Sequence, residues 1–328
     1  MASKAARRPK AWFIAIAWTL GLSSGAGLVL FPHAAHWFTT RVQAGDVVEH
    51  AHVLAAMSGT EVAELVDAAH AYNARLAEGL AGRTSYHHPE YLGLLNPGGR
   101  PVMSTVTVPS LSLTVPVYHG TSDEVLYRGA GHHYGSSLPV GGPDTHTVIT
   151  AHSGLMRARL FTDLERLGVG DVFFFTTAGT QLWYEVDQIV IVLPGDYQEY
   201  LGIEPGQDLA TLFTCTPTGV NSHRLVVRGH RIPPPEVGDV RHSEMMLEAG
   251  FPWWAAILGG TLLATSVSGK FLFLPKRAPA AGTPGPAGMP GLPATIGEQA
   301  GSELGEAPAP PPGPSARRRS GHLPRHSR

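Results

Sequence analysis

The 328-residue sequence contains a single cysteine, Cys215, whose neighbours suggest that its thiol is reactive. A lone cysteine cannot form an intramolecular disulfide and is a candidate reactive thiol. Cys215 ends a β-like run, and a loop rich in Thr, Pro, Gly and Asn leads to a second run that begins at His223. Arg224 follows Cys215 by nine positions (224 − 215). Adjacent strands joined by this loop would therefore bring the thiol and the guanidinium to the same end of a sheet.

Nucleophilic attack by a cysteine requires a thiolate, and a free thiol with a pKa of about 8.5 is mostly protonated at neutral pH. Arg224 supplies permanent charge and forked donors for a developing oxyanion, but it cannot move protons. His223 is adjacent to Arg224 and would point to the opposite face of a strand. His152, at the end of a β-like run that begins at Thr145, is therefore the better candidate for a general acid and base.

The region around Cys215 and Arg224 belongs to a series of six short segments spread along the chain. They read YLGLLNP at 91–97, YHGTS at 118–122, SLPVGG at 137–142, LFTDL at 160–164, TLFTCTP at 211–217 and NSHRLVVRG at 221–229. Together they resemble the sortases, specifically the pilin-polymerising class C, over residues 68–232. The resemblance implies that Cys215 is the nucleophile, that His152 is the general acid/base, and that Arg224 stabilises the oxyanion and the substrate.

The sequence departs from the class C pattern at two positions beside the implied site. Ser153 follows His152 where class C members commonly have arginine, and Thr218 lies where tyrosine is frequent. Neither departure changes the implied trio, but both are expected to alter substrate contacts. Arg228 shares the strand face of Arg224 by two-residue alternation and matches the family's second, non-catalytic arginine.

A loop before the barrel lies where class C sortases often carry a lid. Such lids hold an Asp-Pro-aromatic triplet that blocks the catalytic cysteine, whereas residues 85–90 here read SYHHPE. Tyr86 or His88 could perform a related role. Segments of this composition are more often exposed connections, so we interpret the stretch as a loop joining helix to barrel and leave regulation by a lid open.

Composition limits the classes of function. A formal net charge of −2 argues against nucleic acid as a partner, because no basic face is evident to bind a polyanion. Thirty-nine glycines, 28 prolines and a hydrophobic fraction of 43% favour one modest globular domain with membrane and low-complexity appendages. With one cysteine, no Cys/His zinc cluster can be assembled. The implied chemistry needs no metal or organic cofactor.

The central part of the chain, residues 100–233, predicts a mainly β domain. Short alternating or β-branched runs are separated by Gly, Pro, Asp and Asn, which favours a closed or nearly closed barrel. The predicted strands cover residues 105–108, 111–118, 145–151, 172–177, 181–193, 210–214 and 223–231. The family resemblance implies that this is the eight-stranded sortase-type β-barrel, with N-terminal helices and flanking transmembrane helices.

Residues 32–99 are predicted to form an N-terminal helical region that packs on the barrel. Apolar residues recur at helical spacing from 41 to 80, and Ser58 with Glu61 fits a capping box that begins a second helix.

Two uncharged segments flank the barrel. Residues 11–31 follow a basic segment, 1–10, and are long enough to span a membrane as an anchor, or to be a cleaved signal peptide. A linker at 234–250 leads to a second predicted transmembrane helix at 251–274, which begins beside Trp253 and Trp254. The composition of residues 275–328 predicts a disordered tail. Basic residues at both outer ends place both termini in the cytoplasm, and the resemblance implies the cell membrane of a Gram-positive bacterium with the catalytic domain outside.

These observations lead to a functional hypothesis. The resemblance implies a membrane-bound transpeptidase that cleaves an LPXTG-like sorting signal of a pilin or surface protein between Thr and Gly. The acyl group would pass to an amine, either a pilin lysine or a cell-wall precursor. Alternatives are a housekeeping sortase that anchors surface proteins to the cell wall, a cysteine peptidase that releases the product to water, and a non-enzymatic scaffold that only binds sorting signals.

Overall fold

The computed structural model describes residues 8–80, 88–99, 101–235 and 249–273. The helices in these residues are α1 Arg8–Ala56, α2 Gly59–Ala77, α3 Pro89–Gly93, α4 Asp123–Arg128 and α5 Trp253–Phe273. The strands are β1 Val102–Val108, β2 Leu113–His119, β3 Ala130–His132, β4 Thr145–Thr150, β5 Val172–Thr177, β6 Thr180–Val192, β7 Asp208–Thr216 and β8 His223–Ile232. Short 3-10 helices lie in the connections, among them Tyr197–Tyr200 between β6 and β7.

The eight strands close into a barrel in the order β1-β2-β3-β4-β7-β8-β6-β5, which confirms the expected fold class. β2 pairs with β3 in parallel, as does β4 with β7, and the other neighbours are antiparallel. The sequence pattern missed β3, because Ala-Gly-His has little intrinsic preference for a strand. β3 exists because β2 and β4 each supply a backbone edge for it to pair with.

Alternation along the strands divides the barrel wall into two faces. Inward side chains form the hydrophobic core, including Val106, Val117, Ile149, Phe173, Phe175, Tyr184, Leu212, Leu225 and Val227. Cys215 lies three residues after Leu212, so its side chain faces outward together with that of Phe213. The site must therefore be sought on the outside of the wall.

Helices α2 and α3 pack against the barrel through polar anchors as well as apolar contacts. The predicted capping box is present, since the Ser58 side chain accepts from the Glu61 amide while the Glu61 side chain accepts from the Ser58 amide. Buried Asn73 of α2 exchanges two hydrogen bonds, of 3.0 and 2.7 Å, with the backbone of Leu138. Tyr91 of α3 shares a hydrogen bond of 2.8 Å with His132 Nδ1. The first family-like segment, 91–97, thus helps to hold the helices on the barrel.

Helices α1 and α5 are long and apolar enough to span a membrane, the qualifying segments being Trp12–Ala56 and Trp253–Leu272. They lie against each other, with a Ser23 to Thr265 hydroxyl contact of 3.4 Å, and Trp37 Nε1 donates to the Gly250 carbonyl at 2.9 Å. Helix α1 continues past residue 31 and runs on to the barrel. Tyr86, one of the two residues considered for a lid-like role, lies outside the described residues, as do most of the 234–250 linker and the tail at 275–328.

Candidate active site

Three neighbouring strands bring the sequence-predicted site residues to one edge of the barrel. The antiparallel register of β7 and β8 pairs Cys215 with Arg224, as the nine-residue spacing predicted. On the other side of β7, the parallel register pairs Thr150 with Phe213. Continuing that register by two residues brings His152 level with Cys215, although β4 itself ends at Thr150.

Hydrogen bonds attach the segment around His152 to β7. Ala151 donates its amide to the Phe213 carbonyl at 3.4 Å, and the Thr214 hydroxyl donates to the Ala151 carbonyl at 2.7 Å. The Ser153 hydroxyl donates to the Cys215 carbonyl at 2.6 Å. The backbone on both sides of His152 is therefore held against the strand that carries the cysteine, even though the β4 ladder has ended.

Gly154 allows this segment to approach the loop that follows Cys215. Its φ is +72°, and a Cβ at this position would lie 3.0 Å from the Thr218 side chain and 3.2 Å from the Gly219 nitrogen. A side chain here would meet both an unfavourable backbone conformation and a backbone atom that cannot rotate away. The glycine after Ser153 thus keeps the histidine segment close to the 217–222 loop.

The outer face beside Cys215 carries a stacked pair of aromatic rings. Tyr197, in the connection between β6 and β7, stacks on Phe213 with ring centroids 5.0 Å apart and an interplanar angle of 15°. Buried His146 ties the same connection to the barrel, with Nδ1 2.7 Å from the Gly202 carbonyl and Nε2 2.8 Å from the Thr211 hydroxyl. Cys215 itself is half-buried and not in a disulfide. Cys215 is therefore partly accessible, and the connection on one side of it is held to the barrel.

The two arginines of the outer face of β8 have different partners. Arg228 makes hydrogen bonds of 3.0 and 3.3 Å to both carboxylate oxygens of Asp187 and one of 2.9 Å to Glu204. Arg224 donates to the backbone carbonyls of Asn221 and His223, at 3.3 and 3.1 Å. Among the described residues no carboxylate is in ion-pair range of Arg224, so its charge remains available to a ligand.

Comparison with known proteins identifies the family to which this barrel belongs. A sortase-domain family model matches residues 106–232. Sortase C of Streptococcus pneumoniae is 42% identical, with a TM-score of 0.52 over 57% of this chain and 95% of the solved structure. The chain belongs to the sortase family. A second class C structure, Clostridium perfringens sortase C with the C-terminal cell wall sorting motif, is 37% identical, with a TM-score of 0.52 over 57% of this chain and 97% of that one.

A more distant relative is sortase A of Bacillus anthracis. It is 27% identical over 128 residues, which are 39% of this chain and 59% of that protein. The chain thus spans less than two thirds of the length of this relative. The segment that the family model matches, residues 106–232, lies within the barrel domain and includes neither α1 nor α5.

The surroundings of His152 in this sortase shift its protonation. Burial lowers the pKa of the imidazole, the nearby Asp123 carboxylate raises it in part, and the Arg157 guanidinium lowers it. The Tyr127 ring lies against the imidazole with centroids 5.5 Å apart. The neutral form is consequently favoured at neutral pH, and the imidazolium that does form is a stronger acid than a free one.

Sequence reasoning missed several residues that contact the predicted site residues. Ser153 was noted only as a departure from the family pattern, yet its hydroxyl bonds to the backbone of the cysteine. Glu165 accepts a hydrogen bond of 2.6 Å from the hydroxyl of Thr216, the residue that follows Cys215. Tyr127 was not singled out. These contacts join residues 25 to 62 positions apart, and no local spacing signals them.

Proposed function

We propose that this sortase is a membrane-bound cysteine transpeptidase. It cleaves an LPXTG-like sorting signal between Thr and Gly and joins the acyl group to an amine, by family resemblance a lysine of a pilin subunit. The proposal is supported by the pairing of Cys215 with Arg224 on β7 and β8, and by the position of His152 two residues past the end of the adjacent strand β4. The substrate class is supported by the sorting motif bound in the related C. perfringens structure.

In the first half-reaction, the Cys215 thiolate attacks the carbonyl carbon of the threonine. Arg224 donates to the oxyanion that develops, because its forked N–H groups are not committed to a carboxylate. The Thr–Gly C–N bond then breaks, and the His152 imidazolium gives its proton to the departing amine. The products are a thioester on Cys215 and a peptide with a free amino terminus.

In the second half-reaction, an acceptor amine attacks the thioester carbonyl. Neutral His152 takes a proton from the attacking nitrogen, the C–S bond breaks, and the Cys215 thiolate is restored beside the imidazolium. One amide is consumed and one is made, so no oxidant, reductant or external energy source is needed. Water in place of the amine would give the peptidase reaction.

The shifted pKa of His152 fits both steps. A lowered pKa makes the imidazolium a better donor to the leaving amine, and it makes the neutral form abundant when the acceptor must lose a proton. The cost is that the thiolate–imidazolium pair is a minor form of the free enzyme at neutral pH. The pair titrates as a unit, and its apparent pKa values belong to both residues.

The two long apolar helices support attachment to the cell membrane of a Gram-positive bacterium. We propose that α1 and α5 both span the bilayer, with the two termini in the cytoplasm and the barrel outside. The basic residues before residue 11 and after residue 269 are consistent with this orientation. The arrangement keeps the barrel on the side where sorting signals and acceptor amines are found.

The test uses the full chain in detergent or nanodiscs. Wild type is incubated with an LPXTG-type peptide, with or without a lysine-containing acceptor peptide, and analysed by intact-protein mass spectrometry. We expect a thioester on the wild type, its absence in Cys215→Ala, and a ligated product that exceeds the hydrolysed one when amine is present. An adduct that persists in Cys215→Ala overturns the assignment of the nucleophile. Hydrolysis that dominates at saturating amine makes the protein a peptidase.

The acceptor distinguishes the two sortase roles. Supplying a pilin-type lysine peptide and a cell-wall stem-peptide amine in competition shows which nucleophile resolves the thioester. Preference for the stem-peptide amine would replace the pilin role with housekeeping anchoring. Binding of the signal peptide that survives alkylation of Cys215, without any turnover by the untreated protein, would favour the scaffold alternative.

A further inference from the structure

The C-terminal part of helix α1 reaches the barrel and docks there with one face. Gln43 and His50 are buried, with exposed fractions of 6% and 7%, and they flank Asp46 at helical spacing. The helix contacts strands β1 and β2. Helix α1 runs from Arg8 to Ala56 with Pro32 inside it, so the part that touches the barrel continues directly from the apolar part at 11–31.

The polar centre of this contact is Asp46. Its carboxylate accepts hydrogen bonds of 3.0 and 2.8 Å from Nε and Nη2 of Arg128, the last residue of α4, and one of 2.7 Å from the Tyr118 hydroxyl. Gln43 Nε2 donates to the Arg128 carbonyl at 2.7 Å. The Arg128 guanidinium lies over the Tyr118 ring, 5.1 Å from its centroid. A forked arginine–carboxylate pair of this kind fixes direction as well as distance.

Burial and the hydrogen bond to Asp46 raise the pKa of Tyr118, so its hydroxyl stays a donor throughout the working pH range. The chain just after α4 is equally constrained. A Cβ on Gly129 would lie 2.6 Å from the Tyr118 ring and 2.8 Å from the Pro116 carbonyl. The carboxyl end of α4 therefore has little freedom to shift unless its contact with α1 is lost.

The other side of α4 contacts the histidine of the proposed site. Tyr127, adjacent to Arg128, lies with its ring centroid 5.5 Å from that of His152. Arg157 lies over the Tyr127 ring at 4.6 Å and donates to the Tyr127 carbonyl at 3.4 Å. Asp123, the first residue of α4, raises the pKa of His152. The short helix thus contacts α1 through one residue and the histidine through its neighbour.

We infer that Asp46 of α1 is a positioning residue for His152, and that α4 carries its effect to the histidine. The inference rests on the proposed function for the role of the histidine. Asp46 touches no reacting atom. It holds the carboxyl end of α4, which sets where the Tyr127 ring and the Asp123 carboxylate lie relative to the imidazole. The helix that we propose as membrane anchor is then part of the active-site scaffold.

The charged and titratable groups around the imidazole decide the sign of the expected change. They are Asp123 and Tyr127 of α4, Arg157 of the following loop, and Cys215 and Arg224 of the neighbouring strands. If α4 becomes more mobile, the Asp123 carboxylate raises the pKa of His152 less, while Arg224 stays in place. The imidazolium becomes less stable, and the thiolate beside it is stabilised less.

The test compares Asp46→Asn, Asp46→Glu and the matched control Asp67→Asn, an exposed carboxylate on α2, in the full chain in nanodiscs. Cys215 is the only cysteine, so the pH dependence of iodoacetamide alkylation reports that thiol without background. In Asp46→Asn we expect the alkylation midpoint to move a few tenths of a unit to higher pH. We also expect kcat for the peptide to fall about tenfold with KM within about twofold, below the cost of misplacing a reacting group by an ångström.

Asp46→Glu keeps the carboxylate and is expected to restore both values, whereas Asp123→Asn should reproduce the direction of the pH shift. An alkylation midpoint in Asp46→Asn equal to that in Asp67→Asn overturns the inference, even if the melting temperature falls, because Asp46 is then only structural. Failure of the wild type to turn over any sorting-signal peptide, together with a shifted midpoint in Asp46→Asn, rejects the proposed function and retains the positioning role.

Discussion

The outer face of β7 and β8 has two ends, and similar polar groups have different hydrogen-bond partners at the two ends. At one end, Thr211 pairs in register with Arg228, and each has its polar atoms bonded, to His146 and to Asp187 with Glu204. At the other end, Cys215 pairs with Arg224, whose hydrogen-bond partners within the described part of the chain are backbone carbonyls only. Four residues along the same strands thus separate a structural end from an end with spare binding capacity.

The comparison shows that partners, rather than residue type or strand face, distinguish the two arginines. A guanidinium held by two carboxylates can reach an oxyanion only after those contacts break. A guanidinium bonded to carbonyl oxygens alone keeps its charge uncompensated by any acid. The ion pair of Arg228 with Glu204 also holds the β6–β7 connection, whose Tyr197 stacks on Phe213 two residues before Cys215, so the structural end supports the reactive one.

The largest effect is expected from removing Arg224, the arginine bonded to carbonyl oxygens rather than to carboxylates. We expect Arg224→Ala to lower kcat/KM for peptide transfer by about 100- to 1,000-fold, as for other donors to a developing oxyanion. The melting temperature should stay close to that of the wild type. Arg224→Lys should recover only part of the rate, because an ammonium has no planar fork. Steady-state kinetics and differential scanning calorimetry check both, and a rate loss below threefold in Arg224→Ala contradicts the assignment.

Removing the paired arginine should have the reverse pattern. Arg228→Ala leaves Asp187 without its partner, and since these side chains are about one quarter exposed we expect a loss of about 1 kcal/mol in unfolding free energy. That corresponds to a fall of about 3 °C in melting temperature. The value of kcat/KM should drop far less than in Arg224→Ala. Equal kinetic losses in the two variants would remove the distinction between the ends.

The hydrogen bonds that hold the segment around His152 against β7 can be weakened without changing either arginine. Ser153→Ala removes the hydroxyl that donates to the Cys215 carbonyl, and we expect kcat to fall about threefold to tenfold, the value of one hydrogen bond. Thr107→Val serves as control, since it removes a hydroxyl contact between β1 and β2 on a different part of the wall. A similar loss of kcat in both variants would mean that the hydrogen bond from Ser153 to Cys215 has no particular importance for catalysis.

Lowering the pH should destabilise the structural end, because His146 is buried there. Burial lowers the pKa of His146 in the folded protein, whereas a histidine in the unfolded chain has a pKa of about 6.5. As the pH falls through that value, the unfolded chain therefore binds more protons than the folded one. Stability is therefore expected to fall as pH drops from 7.5 to 5.5. His146→Gln should melt with a weaker pH dependence than the wild type, whereas His70→Gln, at an exposed site on α2, should not. Parallel pH profiles for all three proteins would contradict this.

Local sequence patterns were informative wherever structure depends on near neighbours. The nine-residue interval from Cys215 to Arg224 spans one hairpin, and a hairpin of given loop length has few possible registers, so the predicted pairing appears in β7 and β8. The Ser58 and Glu61 pair lies within one helical turn and forms the expected capping box. The parallel β4–β7 neighbours could not be derived in this way, because 63 positions (213 − 150) separate Thr150 from its partner Phe213 and only the family resemblance related the two segments.

What the sequence determined by itself was the set of chemically capable groups, their hairpin spacing, and the division into apolar helices and alternating strands, since these follow from bonding and periodicity within short segments. Only the tertiary structure decided that, among the described residues, Arg228 has carboxylate partners and Arg224 has none, and that α4 contacts Asp46 through Arg128 and His152 through Tyr127. The physical reason is barrel closure. Which outward side chains meet depends on the order of the strands and the docking of α1, and those depend on contacts between residues far apart in the chain.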